Sequence, residues 1–289
     1  MKLLPPLILF FILLFILPSV PIASAEKTIE FSGYKWYVKE SDAPVGPGPN
    51  YFSGENVFVD EEGLHLKITF DLLKLKLGWC CAEVFCTEKL GYGTYIFHTN
   101  SMIDELDKNV VLGLFVYEND EEEIDIEFSR WGVENNTNAQ YVVQPGSHSG
   151  NVHRFDIELT GDKESCHMFT WKRDCILFES SFLNSTEIWN YTGKDIPLCD
   201  NERPHINLWL YQGMMPSDLK EVEVVITKFE FVPLRNQSQN SAGGAVDGTT
   251  ATKGFIPGFG AIIAVLSIMA CISGRKRREQ KSHLHQSSL

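Results

Sequence analysis

The 289-residue sequence has no surplus of basic charge: 25 Lys and Arg stand against 38 Asp and Glu, for a formal net charge of -13. Binding nucleic acid through its phosphates needs a basic footprint, so nucleic acid is excluded as a partner. The eight histidines are scattered. His148 and His153 lie in a loop-like region without close cysteine or acid partners at ligand spacing, which argues against a zinc centre. There is no Gly-rich phosphate loop, no dinucleotide-binding unit, no internal repeat and no Ser-His-Asp arrangement. Helix-period patterning is nearly absent between residues 26 and 233.

What is there begins with an apolar run at each end. Lys2, the run from Leu3 to Ile22 and the small residues Ala23-Ser24-Ala25 read as a signal peptide, residues 1–25, cut after Ala25; an uncleaved anchor is the alternative. A polar linker over 234–253 leads to a second apolar segment, 254–274, and then to a basic tail, 275–289, containing Arg275-Lys276-Arg277-Arg278. That order predicts a C-terminal membrane anchor with the tail on the cytoplasmic side, and hence an extracellular, cell-surface body. Pro257-Gly258-Phe259-Gly260 before the apolar segment resembles the archaeal PGF-type sorting signal, which implies sortase-type processing in place of a plain transmembrane anchor. Cys80, Cys81, Cys86, Cys166, Cys175 and Cys199 fall in the body and Cys271 in the apolar segment. An even count in an exported domain predicts disulfides, with the pairing open. Sequons at Asn135, Asn184, Asn190 and Asn236 predict a glycoprotein where the host glycosylates.

The body, residues 26–233, is long enough for one all-β domain. Strand-like runs recur between polar turns: GLHLKITF (63–70), YGTYIFHT (92–99), NVVLGLFVY (109–117), HRFDIEL (153–159), CHMFTW (166–171), CILFES (175–180), HINLWLY (205–211) and EVEVVITKFEFV (221–232). Two antiparallel sheets packed as a sandwich bury the apolar faces of such strands.

EEEIDIEF (121–128) stands out. After a polar loop at 118–122, alternation puts Glu123, Asp125 and Glu127 on one face and Ile124, Ile126 and Phe128 on the other. A solvated amphipathic strand explains the alternation but not three like charges in a row. Glycosidic bond hydrolysis with retention explains them: one carboxylate attacks, a carboxylic acid protonates the leaving oxygen, and the two lie about 5–5.5 Å apart. Glu123 and Glu127 are separated by roughly 13 Å of extended backbone, so a bent strand on a concave sheet is needed to bring them together. Asp125 between them would hold the nucleophile and help retain a proton near neutral pH.

EIDIEF is similar to the E-I-D-x-E strand of glycoside hydrolase family 16 in its lichenase-type spacing. WCCAEVFCTEKLGYGTYIF (79–97), the paired HRFDIEL and CHMFTWKRDCILFE segments, INLW (206–209) and EVEVVITKFEFV resemble that family's other strands in the same order. The resemblance implies a jelly-roll sandwich of two antiparallel sheets, concanavalin-like, with a concave face forming the cleft. It implies Glu123 as nucleophile, Asp125 as its assistant and Glu127 as acid/base in a retaining endo-β-glycosidase acting on β-glucan or a related polysaccharide. Two alternatives are a transglycosylase remodelling envelope polysaccharide and a non-catalytic carbohydrate-binding surface protein. The compact segment 129–155, the cysteines at Cys80-Cys81 and the absence of a D-G after ILFES depart from the family, leaving linkage preference open.

Sugar faces stack on aromatic rings and their hydroxyls take polar contacts. The substrate-binding candidates are Trp209, Asn207, Trp131, Arg130, Tyr92 and Glu83, with packing and ion pairing as the competing roles for Trp131 and Arg130. The chemistry requires no cofactor; a structural Ca2+ is the one ion the resemblance admits, and the acidic loop 118–123 lacks the glycine and spacing of an EF-hand. The expected assembly is a monomer with a polysaccharide as substrate.

Overall fold

The computed structural model describes residues 26–72, 78–183 and 185–234. The signal peptide, the apolar segment and the basic tail expected above lie outside these residues, as does nearly all of the linker.

The chain runs β1 (Thr28–Phe31), β2 (Tyr34–Val38), β3 (Tyr51–Phe52), β4 (Val57–Val59), β5 (Leu64–Asp71), β6 (Gly78–Cys86), β7 (Gly93–Asn100), β8 (Val110–Asn119), β9 (Glu122–Phe128), β10 (Ala139–Val143), β11 (Val152–Phe155), β12 (Glu164–Trp171), β13 (Ile176–Phe182), β14 (Ser185–Tyr191), β15 (Arg203–Leu210) and β16 (Val222–Pro233). One hydrogen-bonded path, β11-β10-β9-β8-β15-β6-β5-β16-β7-β12-β13-β14, folds back on itself. Pairing is antiparallel except where β3 runs parallel to β6. The bend lies at β5 and β6. β6 pairs with β15 and β2 along most of its length, while its first residues pair with the end of β5; β5 otherwise belongs with β4 and β16.

Alternation builds the core. Leu112, Leu114 and Val116 of β8, Ile124, Ile126 and Phe128 of β9, and Ile206, Leu208 and Leu210 of β15 point inward from one layer. Tyr95, Phe97, Phe169, Trp171, Phe178 and Phe229 meet them from the other. Tyr95 stacks on Phe169 with centroids 4.9 Å apart, and Phe97 leans on Phe229 at 5.2 Å. Burying such rings contributes on the order of 2–3 kcal/mol each, which is what lets the opposite face of β8, β9 and β15 carry polar side chains.

The all-β sandwich expected from sequence is the fold observed. The short strands β1 to β4, and β6, β10 and β14, were not among the runs read as strands, and HRFDIEL is strand only at its start. The β8–β9 connection is tighter than a five-residue loop: β8 continues to Asn119 and β9 starts at Glu122.

Two expectations are corrected. No disulfide joins the six cysteines of the body. Cys80 and Cys81 are neighbours on one strand, Cys86 lies at its far end, Cys166 is on β12, and Cys175 and Cys199 occupy separate turns. The membrane anchor and the cell-surface placement that followed from it gain no support either. Among the described residues no helix is long and apolar enough to cross a membrane, because the apolar runs there are strands; segment 254–274 itself lies outside them.

Candidate active site

The concave sheet brings side chains together in rows across its strands. In one row Arg154 of β11 stands opposite Gln140, Gln140 opposite Glu127, Glu127 opposite Gly113, Gly113 opposite Asn207, and Asn207 opposite Glu83. The next row runs Val142, Asp125, Phe115, His205, Phe85, Tyr37. A third pairs Glu123 with Tyr117 and Tyr117 with Arg203. Glu123, Asp125, Glu127, Glu83, Asn207 and Trp209 share the lining of one cavity of about 700 Å³.

Glycine at 113 is dictated by this packing. A Cβ there would lie 2.5 Å from Asn207 Oδ1, so only glycine lets that amide lie across the floor beside Glu127. One wall is the loop through Gly46, Pro47 and Gly48. Lys39 ties it down, donating to the Gly46 carbonyl at 2.8 Å and to Glu83 Oε2 at 2.7 Å. Glu83 is buried, 4% exposed, and its other oxygen is 3.0 Å from His205 Nδ1. Burial raises the Glu83 pKa, yet the His205 hydrogen bond and the Lys39 charge outweigh it and leave the group below the usual carboxylate range. His205 is stacked between Phe85 and Phe115, 5.2 and 4.9 Å away.

The three acids of β9 behave differently. Burial pushes Glu123 up to about 8, with the charges of Glu127, Asp120 and Glu83 adding to it and a hydrogen bond from Asp125 opposing. Asp125, 4% exposed, is raised well above its usual value by burial, then by Glu123 and Glu127. Glu127 is raised by burial, against a hydrogen bond from Gln140 and the nearby Arg154 charge. Glu123 and Asp125 are hydrogen-bonded to each other and both are held up by burial, so the pair retains a shared proton. Gln140 Nε2 donates to Glu127 Oε2 at 2.6 Å, and Gln144 Nε2 donates to Asp125 Oδ2 at 3.2 Å.

The remaining candidates are placed elsewhere. Arg130 follows the acids in sequence, but its guanidinium donates to the carbonyls of Leu106 and Asp104, both at 2.9 Å; it braces a loop. Tyr92 packs edge-on against Trp171 and accepts the Cys199 N–H at 3.3 Å. Trp131 lies beyond the cavity lining, in the turn after β9, with the Arg154 guanidinium 4.7 Å over its ring. Gln140, Gln144, Arg154, Lys39 and His205 were missed. None has a motif of its own, and each enters through strand register or a loop crossing. Among the described residues no group of three or more His, Cys, Asp or Glu is placed to hold a metal ion. In the 118–123 loop Glu118 accepts from Asn201 and Asp120 from Tyr117, so those two carboxylates are engaged.

No family model matches the sequence, and no curated protein matches it. Solved structures do resemble it. A prokaryotic β-1,3-1,4-glucanase (lichenase) from a mouse hindgut metagenome superposes with a TM-score of 0.56 at 18% identity, covering 73% of this chain and all (100%) of that one. The β-glucanase of Bacillus licheniformis gives 0.55 at 16% identity, over 74% of this chain and 100% of its own. A non-specific endo-β-1,3(4)-glucanase of family GH16 gives 0.54 at 12% identity, over 68% of this chain and 83% of its own. The chain therefore has a GH16-like glucanase fold.

Proposed function

We propose that the protein is a retaining endo-β-glycosidase acting on β-glucan. The observation that carries this reading is the row of Glu123, Asp125 and Glu127 on one face of β9, all lining a single open cavity and all held above the usual carboxylate range by burial and by one another. Glu123 attacks the anomeric carbon while Glu127 protonates the departing glycosidic oxygen; the C–O bond breaks and a glycosyl ester on Glu123 forms. Water then attacks that carbon, gives its proton to Glu127 and frees Glu123. One water is consumed and the anomeric configuration is retained. Asp125 keeps its proton and donates to Glu123, steadying the nucleophile between steps.

Two buried amide oxygens, Gln140 Oε1 and Asn207 Oδ1, flank Glu127 in its row and have no hydrogen-bond partner. Buried acceptors are nearly always satisfied, and sugar hydroxyls are suitable donors. Trp209 supplies an aromatic surface at the same cavity. The glucan preference rests on the solved glucanases that share the fold.

The test is release of reducing ends from mixed-linkage β-glucan, β-1,3-glucan and a β-galactan, beside the Glu123→Gln variant. Cleavage of a β-glucan that falls by about 10³-fold or more in the variant is expected for loss of a nucleophile. Cleavage unchanged by the substitution, or absent from every polymer, would overturn the reading.

A further inference from the structure

We propose that Gln144 is a positioning residue that decides which oxygen of Asp125 carries the proton shared with Glu123. The inference rests on the reading of Glu123 as nucleophile and extends it to a residue just past the end of β10.

Gln144 sits where the chain leaves the concave sheet. Its side-chain oxygen accepts the Gly146 backbone N–H at 2.7 Å. A backbone N–H only donates, so this contact settles which end of the amide is oxygen. The nitrogen is then the end 3.2 Å from Asp125 Oδ2, and it donates there. The hydroxyl oxygen of a carboxylic acid is the weaker acceptor, so Oδ2 is the carbonyl oxygen of Asp125 and Oδ1 bears the hydrogen. Gln144 is also tied to the nucleophile's own backbone, since its N–H donates to the Glu123 carbonyl at 3.1 Å. One residue thus holds both members of the Glu123–Asp125 pair and is itself held by Gly146.

The surroundings leave this role to Gln144. The residues opposite Asp125 on the two neighbouring strands are Phe115 and Val142, neither with a polar side chain. The charged and titratable groups lining the cavity with it are Glu123 and Glu127 on β9, Tyr117 on β8, His205 on β15, Glu83 on β6 and Lys39 just after β2, with Asp120 in the β8–β9 turn. Arg154 of β11 acts on Glu127. Glu83 and His205 bond each other, Tyr117 donates to Asp120, and Glu127 takes the Gln140 amide.

Gln144→Glu tests the idea because it keeps an oxygen for Gly146 while the atom facing Asp125 becomes a donor only when protonated. In the full-length protein, kcat on β-glucan should fall about tenfold or more at neutral pH with KM within about twofold, and the ratio to wild type should recover as the pH drops toward 4. Gln144→Leu should stay low throughout. A Gln144→Glu enzyme with the wild-type pH profile would show that the residue only anchors the turn and would overturn the inference. The carboxyl ¹³C titration of Asp125 reads the same contact without turnover: a curve displaced by Gln144→Glu supports the inference, and an identical curve rejects it. A wild type that cleaves no glucan sinks the glycosidase reading alone, because the NMR arm still decides Gln144.

Discussion

In the proposed mechanism Glu127 and Glu123 have the same side chain and opposite duties, and their neighbours separate them. Glu127 takes the Gln140 amide at 2.6 Å and lies near the Arg154 charge, whereas Glu123 is hydrogen-bonded to Asp125. Glu127→Gln should therefore slow polysaccharide cleavage by about 10²–10⁴-fold yet leave a dinitrophenyl glycoside, whose leaving group needs no proton, within about tenfold of wild type. Initial rates on the two substrates check this, and equal losses would reassign the acid. The raised Glu123 pKa also bears on stability. In the unfolded chain Glu123 titrates near 4.5, whereas burial raises it to about 8 in the native state, where it is coupled to Asp125, so between those values the native pair shares a proton that the unfolded chain has lost. Its stabilising contribution is full below pH 4.5 and declines as the pH rises toward 8. Glu123→Gln, which cannot ionise, should match wild type near pH 4 and exceed it by about 1–3 kcal/mol at pH 8. Denaturant unfolding at the two pH values measures the difference.

At the scale of the strand, the acids were legible because period-two alternation ties them to a core face: Ile124, Ile126 and Phe128 are fully buried, which leaves Glu123, Asp125 and Glu127 only the opposite side. Asn207 and Trp209 share a face of β15 by the same alternation, but it was the resemblance to the family that turned that face to the cleft. The glutamine amides were not legible, because Gln140 reaches Glu127 through the β9–β10 register and Gln144 reaches Asp125 through a turn, and neither offset is written in local sequence. Arg130 shows the converse. Adjacency to the acids suggested a place in the cleft, but the strand ends at Phe128 and the guanidinium turns to the Asp104 and Leu106 carbonyls. The row through Gly113 yields its own expectation. Gly113→Ala drives a methyl into Asn207 Oδ1, 2.5 Å away. It should cost about 1–3 kcal/mol of stability and raise KM several-fold by displacing that amide, as thermal unfolding and steady-state kinetics will report.

For the whole molecule, the sandwich was readable from its many strands and polar turns, whereas the even cysteine count was read as disulfides that the body does not have, because pairing depends on which strands become neighbours. With no disulfide in the body, its stability comes from the aromatic layer between the sheets. Reductant should leave the thermal midpoint unchanged, and denatured, unreduced protein should titrate Cys80, Cys81, Cys86, Cys166, Cys175 and Cys199 as thiols. A midpoint several degrees lower in reductant would count against this.

The place of β16 governs how the protein can be made. The last strand among the described residues lies between β5 and β7, in the middle of its sheet. During synthesis the layer opposite the cleft has a gap at its centre until Pro233 has emerged, and the inward faces of β5 and β7 wait unpaired beside it. Closure joins residues far apart in sequence, the slow kind of contact. Each newborn chain therefore passes through an interval, set by the translation rate, in which β9 already exists as polypeptide but has no finished sheet behind it to bend it into a cleft.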